Sequence, residues 1–153
     1  MKKIKAQLIG KSVFTNENEA FSLYKKSALG EPVGEKIQYT LSEAIFLVEN
    51  GKIEIFSKNK IISKTELLKK FQTIDNKFSI KYPVFKDLRE KGYVVKTALK
   101  FGADFRIYEK EKSPGKSHAK WIVFADRETN KTSWQEFSAK NRVAHSTKKR
   151  LLL

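Results

Sequence analysis

The sequence contains no cysteine, two histidines, three prolines and one methionine. The missing thiols exclude disulfides and thiolate metal sites, and two histidines are too few for a dedicated zinc cage. No stretch approaches the roughly 18 uninterrupted apolar residues of a membrane-spanning helix. The opening Met1-Lys2-Lys3 leads only into short apolar runs broken by Lys5, Gln7 and Lys11, unlike a secretory signal. These absences point to a cytoplasmic chain with no membrane partner. Acid is also scarce, with 17 Asp and Glu against 32 Lys and Arg, for a formal net charge of +15. Such an excess argues for an anionic partner, nucleic acid first among them. At 153 residues, 40% of them hydrophobic and 12% aromatic, the chain is too apolar for disorder and long enough to bury a core.

The charge is unevenly spread. Residues 1–76 carry 13 basic and 9 acidic groups (+4), whereas residues 77–153 carry 19 and 8 (+11). The polar stretch Asp75-Asn76-Lys77 separates them, which predicts an N-terminal α/β domain over 1–76 and a second domain over 77–153. Neither an internal repeat nor a low-complexity tract is present.

In the first half, Ile4 to Phe14 alternates as one or two strands, and Glu17 to Leu29 has helical spacing that ends before Gly30. Glu31-Pro32-Val33-Gly34 reads as a turn. Thr40 and Glu43 form a capping box for a helix that stops at Asn50-Gly51. Ile53 and Ile55 suggest a short strand, and Ser63 with Glu66 opens another helix. In the second half, Phe78 to Lys91 reads as a helix closed by Gly92, with Pro83 expected in its first turn. Tyr93–Leu99, Ala103–Tyr108 and Trp121–Ala125 read as strands, the last apolar throughout and so central. Ser133 and Glu136 cap a final helix. Leu151–Leu153 should form a strand, within the sheet or with another copy of the chain. The whole is mixed α/β with short elements.

Strand alternation in Ala103–Tyr108 places Ala103, Phe105 and Ile107 on one face and Asp104, Arg106 and Tyr108 on the other. His118 follows beyond the basic loop 110–116, and a hairpin of that length would bring it near Tyr108. Taken singly, each has an ordinary reading: a packing tyrosine, an inert loop histidine, and a solvated Lys148-Lys149-Arg150 run.

Together the residues are more specific. The block Tyr93-Val-Val-Lys-Thr-Ala-Leu-Lys-Phe-Gly-Ala-Asp-Phe-Arg-Ile-Tyr108, then His118, then Arg142-Val-Ala-His-Ser-Thr-Lys-Lys149 resembles the archaeal tRNA-intron splicing endonucleases. Leu41-Ser-Glu-Ala-Ile-Phe-Leu-Val-Glu-Asn-Gly-Lys-Ile53 looks, more loosely, like the N-terminal domain of that family. The resemblance implies a restriction-endonuclease-like α/β catalytic domain with a central mixed sheet over 77–153. It also implies a triad of Tyr108, His118 and Lys149, with no metal and no cofactor. Tyr108 would be the general base on the RNA 2′-hydroxyl, His118 the general acid on the departing 5′-oxygen, and Lys149 the stabiliser of the phosphorane. The chemistry suits them: histidine titrates near neutrality, and lysine supplies a compact charge to a developing oxyanion. A phenol, with an ordinary pKa of about 10, needs cations such as Lys149 and Arg106 nearby to act as a base. Arg106 and Arg142 are candidate substrate-binding residues, Arg142 for an unpaired bulge base. Two features depart from the family pattern: Ser117 precedes the histidine and Ala119 follows it, and Lys148 adjoins Lys149. His145 reads as a structural helix residue.

The implied substrate is precursor tRNA bearing a bulge-helix-bulge, cut to a 2′,3′-cyclic phosphate and a 5′-hydroxyl. Reading that shape takes two sites at fixed separation, which implies a homo-oligomer, or a heterotetramer with a second endonuclease subunit. Leu151–Leu153 would pair with another subunit, and Asp126-Arg127-Glu128 is the nearest match to the family's acidic intersubunit loop. A metal-dependent nuclease is the rival enzyme, but the only Asp/Glu-x-Lys step is Asp75-Asn76-Lys77, between the domains. Asp87 and Glu90 sit among Lys86, Arg89 and Lys91, as on a solvated helix face. A non-catalytic RNA-binding subunit of the same kind of complex is the other alternative, against which stands the retention of all three triad positions.

Overall fold

In a computed structural model the described residues are 3–98, 103–109, 119–125, 133–146 and 150–152. Residues 110–118, 126–132 and 147–149 lie outside them. The chain divides into two compact units, Met1–Ser79 and Ile80–Leu153.

The first unit is a six-stranded sheet with three helices. Its elements are β1 (Ile4–Ile9), β2 (Ser12–Thr15), α1 (Asn18–Ser27), β3 (Glu31–Val33), β4 (Lys36–Tyr39), α2 (Leu41–Glu49), β5 (Ile53–Ser57), β6 (Lys60–Ile61) and α3 (Lys64–Ile74). The strand order is β3-β4-β2-β1-β5-β6, with β1 and β5 parallel and the other pairs antiparallel. Alternation decides the faces: Ile4, Ala6, Val13, Ile37, Tyr39, Ile53 and Ile55 are buried, while their neighbours Lys5, Gln7, Phe14, Gln38 and Phe56 are exposed or half-buried. The helices supply Ala44, Ile45, Leu47, Leu67 and Phe71 to the same core.

The expected Thr40–Glu43 capping box forms in full. The Thr40 hydroxyl accepts from the Glu43 amide at 3.2 Å, and Glu43 Oε1 accepts from the Thr40 amide at 3.1 Å. Glu43 Oε2 accepts a further bond, from the Gly30 amide at 2.8 Å, which is how a carboxylate only 2% exposed is tolerated. Gly30 has φ +86°, and a Cβ there would lie 2.5 Å from Ile37 Cγ2. At α3 the Ser63 hydroxyl accepts from the Glu66 amide at 3.3 Å. The expected turn at Glu31-Pro32-Val33-Gly34 is instead strand β3 followed by a two-residue turn. Pro32 is accommodated because β3 is the edge of the sheet, where a missing N–H costs no ladder bond. β6 was not anticipated either; its turn puts Lys58 and Asn59 at positive φ without a glycine to announce it.

The second unit holds β7 (Val94–Ala98), β8 (Ala103–Tyr108), β9 (Trp121–Val123), α5 (Trp134–Ser146) and β10 (Arg150–Leu152), preceded by α4 (Phe78–Glu90), whose first turn spans the boundary between units. The order β10-β9-β8-β7 makes β9 interior, as its apolar run implies. Pro83 is the sixth residue of α4 rather than part of its first turn. The helix begins early because its first amides are met from outside: Phe78 donates to the Asp75 carbonyl at 3.0 Å and Ser79 to Gln72 Oε1 at 3.0 Å. Pro83 then deprives the Ser79 carbonyl of its usual main-chain donor. At the other end Gly92 (φ +95°) closes the helix, its amide bonding Arg89 and that of Tyr93 bonding Leu88.

The rings of Phe85 on α4 and Phe105 on β8 stand 6.0 Å apart, while Ala144 on α5 packs with Ile122 and Phe124. Since Arg106, not Phe105, stands opposite Ile122, the two helices lie on opposite faces of the sheet. The C-terminal strand forms as expected, within the sheet. β10 pairs within its own sheet, parallel to β9, with Arg150 opposite Trp121 and Leu152 opposite Val123. The Phe124 amide extends the ladder to Leu152 O at 2.9 Å, and β10 forms the edge of the sheet. Among the described residues no helix is long and apolar enough to cross a membrane.

Candidate active site

Three strand ends meet at one edge of the second sheet. β8 runs out at Tyr108; β9 starts beside it, with Trp121 opposite Ile107 and the Lys120 amide donating to Ile107 O at 2.8 Å. β10, parallel to β9, starts at the same end. With neighbouring strands about 4.8 Å apart, the end of β8 and the starts of β9 and β10 lie within about 10 Å of one another. Ala119 and Arg150 are the described residues that directly follow His118 and Lys149 in the chain. His118 and Lys149 themselves lie outside the described residues, as do Ser117, Lys148 and the Asp126–Glu128 loop.

Tyr108 stands on the same face as Asp104 and Arg106, as alternation requires, but it is not solvated there. The side chain is 5% exposed, with Val94 opposite on β7 and the Arg106 guanidinium carbon 5.9 Å from the centre of its ring. Arg106 is half-buried, and its Nε meets no hydrogen-bond partner among the described residues. The structure therefore brings Arg106 and Tyr108 together. Lys96 is the cross-strand neighbour of Arg106, so two cations share this face. Arg142 is exposed on α5, the helix that also carries His145.

Sequence reasoning missed two parts of this region. Asp104 is a fastener: its Oδ2 accepts from the Ala125 amide at 2.7 Å, and its Oδ1 lies 3.7 Å from Lys81 Nζ on α4. The only signal in the sequence was an acid within an otherwise aromatic and basic strand. The second is a cluster on the opposite face. Tyr93 and Trp121 stack edge-on at 5.9 Å, Lys120 Nζ sits 5.1 Å from the centre of the Trp121 ring, and it also pairs with the Glu109 carboxylate at 2.8 Å. That ion pair joins Glu109, which directly precedes residues 110–118, to Lys120, the second residue after them. No group of three His, Cys, Asp or Glu side chains that could hold a metal ion exists among the described residues.

A two-part α/β chain of +15 charge, with a phenol, a guanidinium and a lysine on one face of the sheet in its more basic unit, has the makings of a nucleic-acid-processing protein. Comparison with known proteins gives the family. Residues 78–153 match the tRNA intron endonuclease catalytic C-terminal domain and residues 4–68 match the tRNA intron endonuclease N-terminal domain. The chain belongs to the tRNA intron endonuclease family. It is 45% identical to the tRNA-splicing endonuclease of Nanoarchaeum equitans over 119 residues, covering 74% of this chain and 77% of that one. It is 37% identical to the tRNA-splicing endonuclease of Pyrococcus horikoshii over 153 residues, covering 99% and 88% of the two chains. The tRNA-splicing endonuclease of Pyrococcus abyssi is 38% identical over 155 aligned positions, covering 100% and 89%.

Proposed function

We propose that this protein is the endonuclease that excises introns from precursor tRNA at bulge-helix-bulge junctions. Residues 77–153 form the catalytic domain, with Tyr108, His118 and Lys149 as its triad. The observation that supports this most directly is the convergence of strand ends: β8 ends on Tyr108, while β9 and β10 begin, at the same edge, just after the positions of His118 and Lys149. Arg150 is thereby returned, two strands across the sheet, to the end at which Tyr108 stands.

The reaction needs no metal in this reading. Tyr108 takes the proton of the 2′-hydroxyl beside the scissile phosphate, and that oxygen forms a new bond to phosphorus. The bond from phosphorus to the 5′-oxygen breaks, and His118, as its cation, gives that oxygen a proton. Lys149 carries positive charge to the phosphorane, where negative charge peaks in the transition state. The products are a 2′,3′-cyclic phosphate and a 5′-hydroxyl. Arg106 beside Tyr108, and Arg142 on α5, bind the substrate. Excision takes two cuts, so the working form is a homo-oligomer or a heterotetramer with a second endonuclease subunit.

The test is to incubate the purified chain with a bulge-helix-bulge RNA in excess EDTA and to analyse the product ends. Cyclic phosphate and 5′-hydroxyl ends support the reading. Cleavage that stops with EDTA, or that persists when the 2′-hydroxyl at the cut site is replaced by hydrogen, overturns it. Activity that appears only on adding a second subunit identifies the heterotetramer.

A further inference from the structure

Two turns leave the N-terminal sheet side by side. β1 and β5 are parallel neighbours with Gln7 opposite Phe56, so the turn after β1 and the turn after β5 emerge at the same end of the sheet. The first is Gly10-Lys11, between the paired Ile9 and Ser12; the second is Lys58-Asn59, between the paired Ser57 and Lys60. With strands about 4.8 Å apart, Lys11, Lys58 and Lys60 lie within about 15 Å of one another. All three are exposed, and none has an ion pair or a side-chain hydrogen bond among the described residues.

The carboxylates of this unit do not cancel that charge. Glu17 and Glu19 follow β2, Glu35 lies in the turn from β3 to β4, and Glu54 stands opposite Lys5, all toward the other end of the sheet. Glu43 is closed to solvent, with its two oxygens accepting from backbone amides. Glu49 pairs with Lys64, and on α3 Glu66 and Asp75 are matched in number by Lys69 and Lys70. Glu31 starts β3 on the nearer side, but β3 and β1 are three strand spacings apart, about 14 Å, beyond the screening length of about 8 Å at physiological salt.

The second turn carries a conformational mark as well. Lys58 has φ +51° and Asn59 φ +66°, the left-handed pair of a two-residue hairpin. Glycine and asparagine suit such positions, whereas a lysine held there is strained. A strained lysine whose charge meets nothing within the chain points to a contact outside it. Ammonium groups are point charges, suited to phosphate oxygens and indifferent to the identity of a base.

We propose that this end of the N-terminal sheet binds the phosphate backbone of the RNA substrate through Lys11, Lys58 and Lys60. The contact holds RNA without reading its sequence. The proposal rests on RNA being the ligand of this chain, and it uses none of the residues assigned to cleavage.

The test measures binding of the full chain, by fluorescence anisotropy over a series of salt concentrations, to a bulge-helix-bulge RNA with hydrogen in place of the 2′-hydroxyl at both cut sites. Lys58→Gln combined with Lys60→Gln should weaken binding by about tenfold near 0.1 M salt and lower the slope of log affinity against log salt by about 1 to 2. Lys36→Gln combined with Lys52→Gln removes the same charge from exposed positions at the other end of the sheet and should cost less than about threefold. Lys58→Gly alone should weaken binding by about threefold while raising the melting temperature by about 2 to 4 °C, since glycine relieves the turn. Equal losses from the two double variants, or none from either, overturn the proposal. So does a Lys58→Gly protein that loses stability along with affinity, because the lysine would then be serving the fold. Unchanged RNA affinity with an altered sedimentation coefficient overturns it too, and would make this end a protein contact. Because no cleavage is read, failure here is separate from failure of the triad, which His118→Ala reports.

Discussion

The Arg106 guanidinium lies over the Tyr108 ring, 5.9 Å from its centre, on a face that is closed to solvent around the ring. In the proposed mechanism, a cation held there is placed to interact with charge that develops during the reaction. Arg106→Ala should lower the single-turnover cleavage rate by about tenfold, equivalent to about 1.4 kcal/mol of transition-state stabilisation. Arg106→Lys keeps the charge but loses the broad guanidinium, so it should recover part of that loss. Equal rates for all three proteins would remove Arg106 from the mechanism.

Tyr108→Phe deletes one oxygen and keeps the ring that fills the site. Cleavage should fall by about 10²- to 10⁴-fold, the usual worth of a general base, while the melting temperature stays within about 3 °C. His118→Ala should abolish cleavage and leave precursor tRNA binding intact. Gel-shift and single-turnover assays on the same preparations separate the two effects.

Gly30 tests the architecture of the first unit. Alanine there must adopt φ near +86° and place its Cβ 2.5 Å from Ile37 Cγ2 and 2.8 Å from the Tyr39 ring. The strained backbone and the clash together should cost about 2 kcal/mol or more, lowering the melting temperature by roughly 8 °C or more. A change below about 2 °C would show that the Gly30 loop is free to move away from β4.

Tyr39 sets an alkaline limit on stability. Its side chain is fully buried, its hydroxyl meets no hydrogen-bond partner among the described residues, and burial, reinforced by the Glu43 carboxylate, pushes its pKa well above the ordinary 10. The folded state therefore holds this proton more tightly than the unfolded chain does. The associated stability is complete below about pH 10 and is lost as the pH rises beyond it. Tyr39→Phe should match or slightly exceed the parent in urea at pH 8, since the buried hydroxyl contributes no bond. The variant's advantage should widen by pH 11. Parallel loss of stability in both proteins would mean that another group governs the alkaline transition.

Much of this molecule was legible from residue order because its local signals agree. Thr40 with Glu43, Ser133 with Glu136, and Gly92 fixed helix ends through short-range hydrogen bonds, and alternation placed Ala103, Phe105 and Ile107 in the core correctly. The failures were non-local. Pro32 signals a turn until it is known to lie on a sheet edge, and Pro83 signals a first turn until Gln72 is known to extend the helix backward. Leu151 and Leu152 mark a strand by their apolar run but leave its register open, and the structure sets them opposite Ile122 and Val123. Tyr108 was placed on the right face, yet its burial depends on Val94 and Arg106, side chains that no spacing rule weighs. Asp104 was passed over because its role exists only once Ala125 and Lys81 are brought to it.

The parallel pairing of β10 with β9 has a consequence for the order of events in folding. β7, β8 and β9 are antiparallel neighbours in sequence and can zip together as a meander. A parallel partner for β9 must wait until α5 has crossed the sheet and returned the chain to its starting edge. Closing that long loop is the slow kind of contact. The end of the sheet where β8 finishes on Tyr108 is therefore completed by the last strand to dock. A chain caught before that step has its meander but not its finished sheet.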